Sequence, residues 1–564
     1  MKTFSIWILS LAASAFAGGS PNDHRDVLGP HLEPAPQVSE AKKTKPPRRD
    51  DPTGRILSWN EIALDANALD HTPVGATEIR VFGEQVGPGR TSRALAIVHI
   101  AIFDAVNAIY GGYQSYTGLA PARRGTSADA AIAQAAHDTL VALYPSHAAG
   151  FDKLLAEDLD QPPHGRAKRD GINLGRRAAA AILALRLNDG SYHTEPFVGV
   201  DYFPSDQPGK WRIDPISQIP VALGAFWGGC TPFVLQSSRQ FPAPAPPALD
   251  SAEYAEAFDE VQRLGGDGVI TPTERTEDQT IAGIYWGYDG TPNLGTPPRL
   301  YNQIAVHIAT QLRSETVELA RLLALVNVAL ADAGFAIWET KYKDEFWRPI
   351  TAIREAEEGT GPTGLGDGNP ATAGDPNYTP LGAPASNLVG PNFTPPFPAY
   401  PSGHAGFGAA LFQTLRNFTA PIGSPSPSRP TSSTASRSTT QAACGRSLRA
   451  ASPRSPRPRK RMRRAASISA FIGLSMPAPA SSKAGRWRIT CSRTPSCRSN
   501  KYPPREPQTS INNRKDEDEI NQAYRVEFFR LDARHERPPR SFREESIALR
   551  GFCGQGDAHG SIPP

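Results

Sequence analysis

Between residues 55 and 420 apolar positions recur mostly at helical spacing, and strand signals are sparse. The run Leu95-Ala96-Ile97-Val98-His99-Ile100-Ala101-Ile102-Phe103-Asp104-Ala105-Val106 is strongly apolar and of helical length. Amphipathic patterns over 128–143, 170–187 and 252–264 predict three more helices. Residues 317–346 are apolar on most faces and predict a long, central one. An all-α helical bundle follows. Residues 359–400, rich in Gly, Pro and Asn, predict a long loop of the kind that in compact domains is functional or disordered.

The N-terminus departs from this pattern. Lys2, the apolar run 4–13 and Ala15-Phe16-Ala17 have the layout of a secretory signal peptide, so 1–17 is read as a signal and the protein as secreted. Residues 18–54 are polar and proline-rich, with charge runs such as Arg48-Arg49-Asp50-Asp51, and predict a disordered lead or propeptide. No later run is clean enough to predict a membrane span. The best, 317–338, is interrupted by Glu318, Arg321, Asn327 and Asp332 and is read as a buried helix of a soluble protein.

Charge changes the picture at the other end. The 564-residue chain has a formal charge of +4, but residues 424–505 hold 18 Lys or Arg and no Asp or Glu. Without that stretch 42 basic residues face 56 acidic ones, a formal −14. A nucleic-acid reading would rest on this one segment, and no nucleic-acid partner is expected. The helical domain is therefore placed at 55–423, followed by a Ser/Arg/Pro-rich segment at 424–505 and a polar tail at 506–564. Four of the five cysteines lie in or beyond the basic segment, so the odd count supports no disulfide inference.

Two motifs carry chemistry. In Lys341-Tyr342-Lys343-Asp344-Glu345-Phe346-Trp347-Arg348-Pro349 the two outer cations stand two helical turns apart and are expected to share a face, with Pro349 ending or kinking the helix. Two cations facing one way suit a tetrahedral oxyanion, although alone they are more often ordinary surface charges. The second motif is Phe397-Pro398-Ala399-Tyr400-Pro401-Ser402-Gly403-His404. Pro401 and Ser402 are good helix starters, and a helix over 405–415 would offer a hydroxyl and free amides to an anion. His404, on its first turn, can exchange protons there.

Together, K-x6-R-P followed by P-S-G-H resembles the first two signature motifs of the vanadium-dependent haloperoxidase / type 2 phosphatidic acid phosphatase superfamily. The pattern around Trp338, Lys341, Arg348, Phe397 and 402–404 is most similar to the vanadium chloroperoxidase branch, and Tyr285-Trp286-Gly287-Tyr288-Asp289-Gly290 resembles a pocket segment of that branch. The resemblance covers about residues 55–420 and implies a bundle of the vanadium haloperoxidase type. It implies that Lys341, Arg348, Ser402 and the Gly403 backbone bind vanadate, or phosphate as its isostere. His404 would be the acid–base group, Trp338 and Phe397 would shape the halide side, and Asp289 would support them. The implied reaction oxidises halide with hydrogen peroxide to a hypohalous species that meets a small organic acceptor. An acid phosphatase using the same pocket, and an inactive or polyanion-binding relative, remain open.

The same resemblance implies a third motif, S-R-x5-H, whose Arg is a further cation and whose His is the axial ligand. The chain as written lacks it: after His404 the next histidine is His535, with Phe529 where the Arg should stand. The basic segment lies in its place. When the last base of each codon is joined to the first two of the next, codons 461–477 permit N-A-x-S-R-I-Y-L-G-V-H-W-x-F-D-A. The Arg arises at the Ala465/Ala466 junction and the His at Phe471/Ile472, which permits His or Tyr. Residues 485–492 likewise permit A-V-A-D-Y-V-F, a plausible amphipathic helix. A change of frame beginning near 419–430 is expected, and 424–564 is not expected to fold as written.

Overall fold

A computed structural model describes residues 51–383 and 394–419. The described residues form helices joined by long loops, with isolated β-bridges and no strand among them. The expected all-α class is therefore what is found. The expectations for the signal, most of the lead, the basic segment and the tail lie outside the described residues.

Helix α1, Pro52–Asp70, begins inside the stretch read as a lead. Asp51 caps it by accepting Gly54 N–H at 2.5 Å, and Pro52 supplies a φ already suited to the first turn. Then come α2 (Gly87–Tyr110), α3 (Ala128–Leu143), α4 (Ala148–Leu159) and α5 (Arg166–Arg186). Helices α6 (Ala252–Gly265), α7 (Glu277–Trp286) and α8 (Pro298–Gln311) precede the longest, α9 (Thr316–Asp344). The short α10 (Pro349–Arg354) and α11 (Gly403–Thr419) complete the set.

Helices α2 and α9 pack against each other at the centre. Every residue of α2 from Gly87 to Ala108 is buried. Both helices are long and apolar enough to cross a membrane by length and composition, yet 94% and 89% of their most apolar windows are buried within the protein. Their polar residues are matched inside the core rather than exposed. His99 meets Asn60 at 2.8 Å, and Arg93 pairs with Asp189 at 2.7 Å.

Buried carboxylates on helices do the work that neighbouring strands would do in a sheet: they satisfy loop amides. Asp332 of α9 accepts Phe233, Val234 and Leu235 N–H at 2.6, 2.9 and 2.9 Å. Asp104 of α2 accepts Tyr116 and Thr117 N–H, both at 2.8 Å. Asp70 holds Glu84 and Gln85 in the same way at 2.7 and 2.9 Å.

Helix α5 lies closely on α3 because glycine removes the obstacle. A Cβ on Gly175 would stand 2.6 Å from the Ala131 carbonyl and 2.7 Å from Gln134 Cβ. Alanine is the better helix former by about 1 kcal/mol, but overpacking costs about 1–3 kcal/mol. Gly175→Ala should therefore lower stability by about 1 kcal/mol or more despite its propensity. Urea denaturation followed by circular dichroism measures this, and an unchanged or raised midpoint would refute the close-contact account.

Candidate active site

The two motifs meet at a cavity of about 370 Å³ whose lining includes Asp289, Trp338, Lys341, Arg348, Phe397 and residues 402–404. All eight residues singled out in the sequence are thus brought together. They arrive by a different route from the one expected for the first motif.

Helix α9 does not run on to Arg348. It stops at Asp344, with Glu345 in the left-handed region at φ 52°. Arg348 is extended (φ −82°, ψ 151°) at the cap of α10, and Pro349 starts that helix instead of ending the previous one. Lys341 and Arg348 therefore share no helical face. The intervening turn is held in place by Trp211 N–H on the Glu345 carbonyl at 2.6 Å and Trp347 N–H on the Gly209 carbonyl at 2.9 Å. It swings Arg348 back toward Lys341.

Both cations grip the same short segment. Lys341 Nζ donates to the Pro398 and Ala399 carbonyls at 2.7 and 3.0 Å, and Arg348 Nε donates to the Phe397 carbonyl at 2.7 Å. Their charges also face the Phe397 ring, 5.1 Å from Lys341 Nζ and 4.7 Å from Arg348 Cζ. Trp338 packs on Phe397 at a centroid distance of 5.1 Å. Part of each cation's bonding capacity is thus structural. Part is not: Arg348 Nη2 is buried without a hydrogen-bond partner.

Ser402 caps α11, its Oγ accepting Ala405 N–H at 3.3 Å. The Gly403 and His404 amides come before any intrahelical acceptor and stand at the pocket. His404 Nε2 is likewise buried without a partner. Burial lowers the His404 pKa to about 4, helped by Lys341 and then Arg348 and opposed by a backbone hydrogen bond to Trp286. The imidazole is therefore neutral at neutral pH and can accept a proton. Burial, with Arg348 nearby, also holds Lys341 well below the usual lysine range. Arg348 is pushed down to about 10, chiefly by burial, and stays charged.

These features fit a tetrahedral oxyanion. The wall has two cationic side chains, helix-start amides and the Arg348 Nη2, which has no partner among the described residues, the donor set such an anion needs, with the neutral His404 Nε2 beside them as a proton acceptor. Two contributors, Tyr301 and the Leu223 carbonyl, were not foreseen, and Trp286 comes from the segment 285–290 read in the sequence as resembling a pocket segment. Tyr301 of α8 donates its hydroxyl to the His404 carbonyl at 2.7 Å. Trp286 sets its ring edge-on to His404 at 6.3 Å. The Leu223 carbonyl accepts Trp338 Nε1 at 3.1 Å and the Tyr342 hydroxyl at 2.9 Å. Tyr301 and Leu223 are remote in sequence from the residues they support, so no local motif announces them.

Asp289 faces both cations, and burial pushes its pKa up to about 7 despite Arg348 and Lys341. Between the ordinary value of 3.8 and about 7 the unfolded chain has released this proton while the folded chain keeps it. Stability contributed by this group therefore falls as pH rises through that window. Asp289→Asn should flatten the fall. Urea midpoints in oxyanion-free buffer at about pH 4.5 and about pH 7.5 test it, and an identical pH dependence in the variant would count against the assignment.

Comparison with known proteins agrees with this geometry. A family model described as the VCPO second helical-bundle domain matches residues 321–443. The vanadium chloroperoxidase of Curvularia inaequalis is 32% identical over 436 aligned residues, spanning 66% of this chain and 67% of that protein. Among solved structures, one titled as the first bacterial vanadium-dependent iodoperoxidase aligns with TM-score 0.50 at 21% identity, covering 66% of this chain and 82% of its own. A holo-type bacterial vanadium-dependent chloroperoxidase aligns with TM-score 0.42 at 16% identity, covering 63% and 79%. With that identity over two thirds of a curated relative, and with the helical bundle and converging motifs, this chain belongs to the vanadium-dependent haloperoxidase superfamily.

Proposed function

We propose that this protein is built as a haloperoxidase that binds vanadate and uses hydrogen peroxide to oxidise halide to a hypohalous species. The observation that carries the reading is the pair of partnerless buried nitrogens, Arg348 Nη2 and His404 Nε2, beside a second buried cation and an aromatic wall. Lys341, Arg348 and the amides of Gly403 and His404 would hold the vanadate oxygens, with the Ser402 hydroxyl at the same helix start. Bound vanadate supplies the Lewis acidity that makes peroxide an oxidant of halide. The chain's own residues supply position and charge. Lys341 and Arg348 disperse negative charge from fixed, desolvated positions. His404, neutral and open at Nε2, would accept and hold a proton from peroxide at this site. Trp338 and Phe397 keep that side of the cavity dry and apolar.

We also propose that the missing side of this pocket is encoded in another frame of the codons beyond about 420. The abrupt acid-free composition of 424–505 and the alternative frame of 461–477 support this. So do apolar surfaces left open around the site. Helix α7 has no buried residue, with Ile281 44% and Trp286 45% exposed, and Phe412 on α11 is 47% exposed.

Two measurements follow. Sequencing genomic DNA and transcript across codons 415–510 should reveal a gained or lost base; an intact frame in both would sink the frame proposal. Bromide-dependent bromination of a dye with peroxide and vanadate should be weak in the 564-residue chain and strong in a frame-corrected one. Arg348→Ala in the corrected protein should cost on the order of a hundredfold in turnover. Phosphate-ester hydrolysis without any bromination would favour the phosphatase reading instead.

A further inference from the structure

We propose that Glu195, which does not line the pocket, is a positioning residue that sets the aromatic wall formed by Trp338 and Phe397. For its ligand class, halide, the proposal rests on the haloperoxidase reading; for its geometry it does not.

Glu195 is 3% exposed and divides its carboxylate between two elements. One oxygen accepts Arg90 Nε of α2 at 3.0 Å, and the other accepts the Gly224 amide at 2.5 Å. Arg90 fixes the near end of this link by donating to the Ser191 and His193 carbonyls, both at 2.6 Å. The far end is the turn Leu223-Gly224. Leu223 N–H donates to the Pro396 carbonyl at 2.9 Å, one residue before Phe397. Its carbonyl receives both Trp338 Nε1 and the Tyr342 hydroxyl. One dipeptide thus touches both halves of the wall.

Gly224 shows how tight the fit is. Its φ is +78°, and a Cβ there would stand 2.4 Å from Trp338 Cδ1 and 2.5 Å from Nε1. The indole lies directly on this backbone, so a shift of the turn must move it. Glu195 is the charged anchor that stops the turn from shifting. A buried carboxylate also resists displacement strongly, because freeing it would leave Arg90 unpaired. The wall position, and with it the room left for a halide beside the cations, is set from 223–224 and held by Glu195.

The test uses the full chain labelled with 5-fluorotryptophan, with the Trp338 ¹⁹F resonance assigned through Trp338→Phe. Glu195→Ala should shift or broaden that resonance while the Trp59 resonance stays in place. It should also raise the bromide dissociation constant read from the Trp338 shift at least about fivefold, a change of about 1 kcal/mol. Glu195→Gln, which keeps an oxygen for the Gly224 amide, should restore most of both. Asp189→Asn alters the neighbouring buried Arg93 pair and reaches Glu195 only indirectly, through Ser191 and Arg90, so it should move Trp338 far less. If Glu195→Ala does not fold, Gly224→Ala displaces the same indole directly and should move the same resonance. A Trp338 signal unmoved by Glu195→Ala or by Gly224→Ala, or moved equally by Asp189→Asn, overturns the proposal. A Trp338 that stays bromide-insensitive in the frame-corrected chain as well counts against the haloperoxidase reading alone.

Discussion

The grip of Lys341 and Arg348 on three consecutive carbonyls, Phe397 to Ala399, is the interaction on which the site depends. Burying two cations side by side is costly, of the order of several kcal/mol each. The carbonyls, the Phe397 face and Asp289 offset that cost only in part. The result is a segment held rigidly at the mouth of α11 and a pocket with cationic bonding capacity to spare. An arriving oxyanion finds charges already desolvated and oriented, with little left to reorganise. The same bonds therefore locate the second motif and keep the first one ready.

That arrangement needs loops to be as firmly placed as helices. With no strand among the described residues, loop amides have no neighbouring ladder to join. Carboxylates fill the gap. Asp332 holds 233–235 and Asp104 holds 116–117. Asp214 holds Ile216 and Ser217 while also accepting Thr394 N–H and hydroxyl just before Phe397. The charges that interrupt otherwise apolar runs are thus fixtures of the core, which explains why membrane-like helices can carry them. The Glu195 link to Gly224 extends the same device to the pocket wall.

How much of this was legible in the sequence varies by residue. Periodicity located α3 at both ends, because its small apolar face and Ser127 cap agree with its packing. It named no helix over α1, and placed the domain start at 55, because the capping Asp51 sits inside a charge run that reads as solvated chain. It also gave no helix for α4, α7 or α8; α7 has no buried residue to mark a stripe, whereas α8 carries one, with Leu300, Tyr301, Ala305 and Ala309 buried at helical spacing. The cluster of Lys341, Arg348 and 402–404 was visible from residue types and order. The geometric reason offered for it was not the right one. A helical face was expected to align the two cations, whereas a left-handed Glu345 and a restart at Pro349 bring them together. The supports from Tyr301 and Leu223 act across gaps of 103 and 115 residues, and that from Glu195 to Gly224 across 29, and no local pattern encodes such contacts.

The distribution of the core explains how half a site can persist. The main apolar cluster draws on α1 to α5, α8, α9 and α11, all before residue 420. A second, smaller cluster joins Tyr254 and Phe258 of α6 to Trp347, Ile350 and Tyr378 beneath the Arg348 turn. Both clusters, and the hydrogen bonds described above for Lys341, Arg348, Ser402 and His404, join described residues to one another. A break in frame downstream would spare these contacts and remove only groups that close the pocket from the other side. Function would then be lost well before the fold, because oxyanion affinity depends on the number of converging charges while stability depends on buried apolar area. Arg348 Nη2 and His404 Nε2, without partners among the described residues, are where that imbalance shows, because buried polar atoms are normally satisfied.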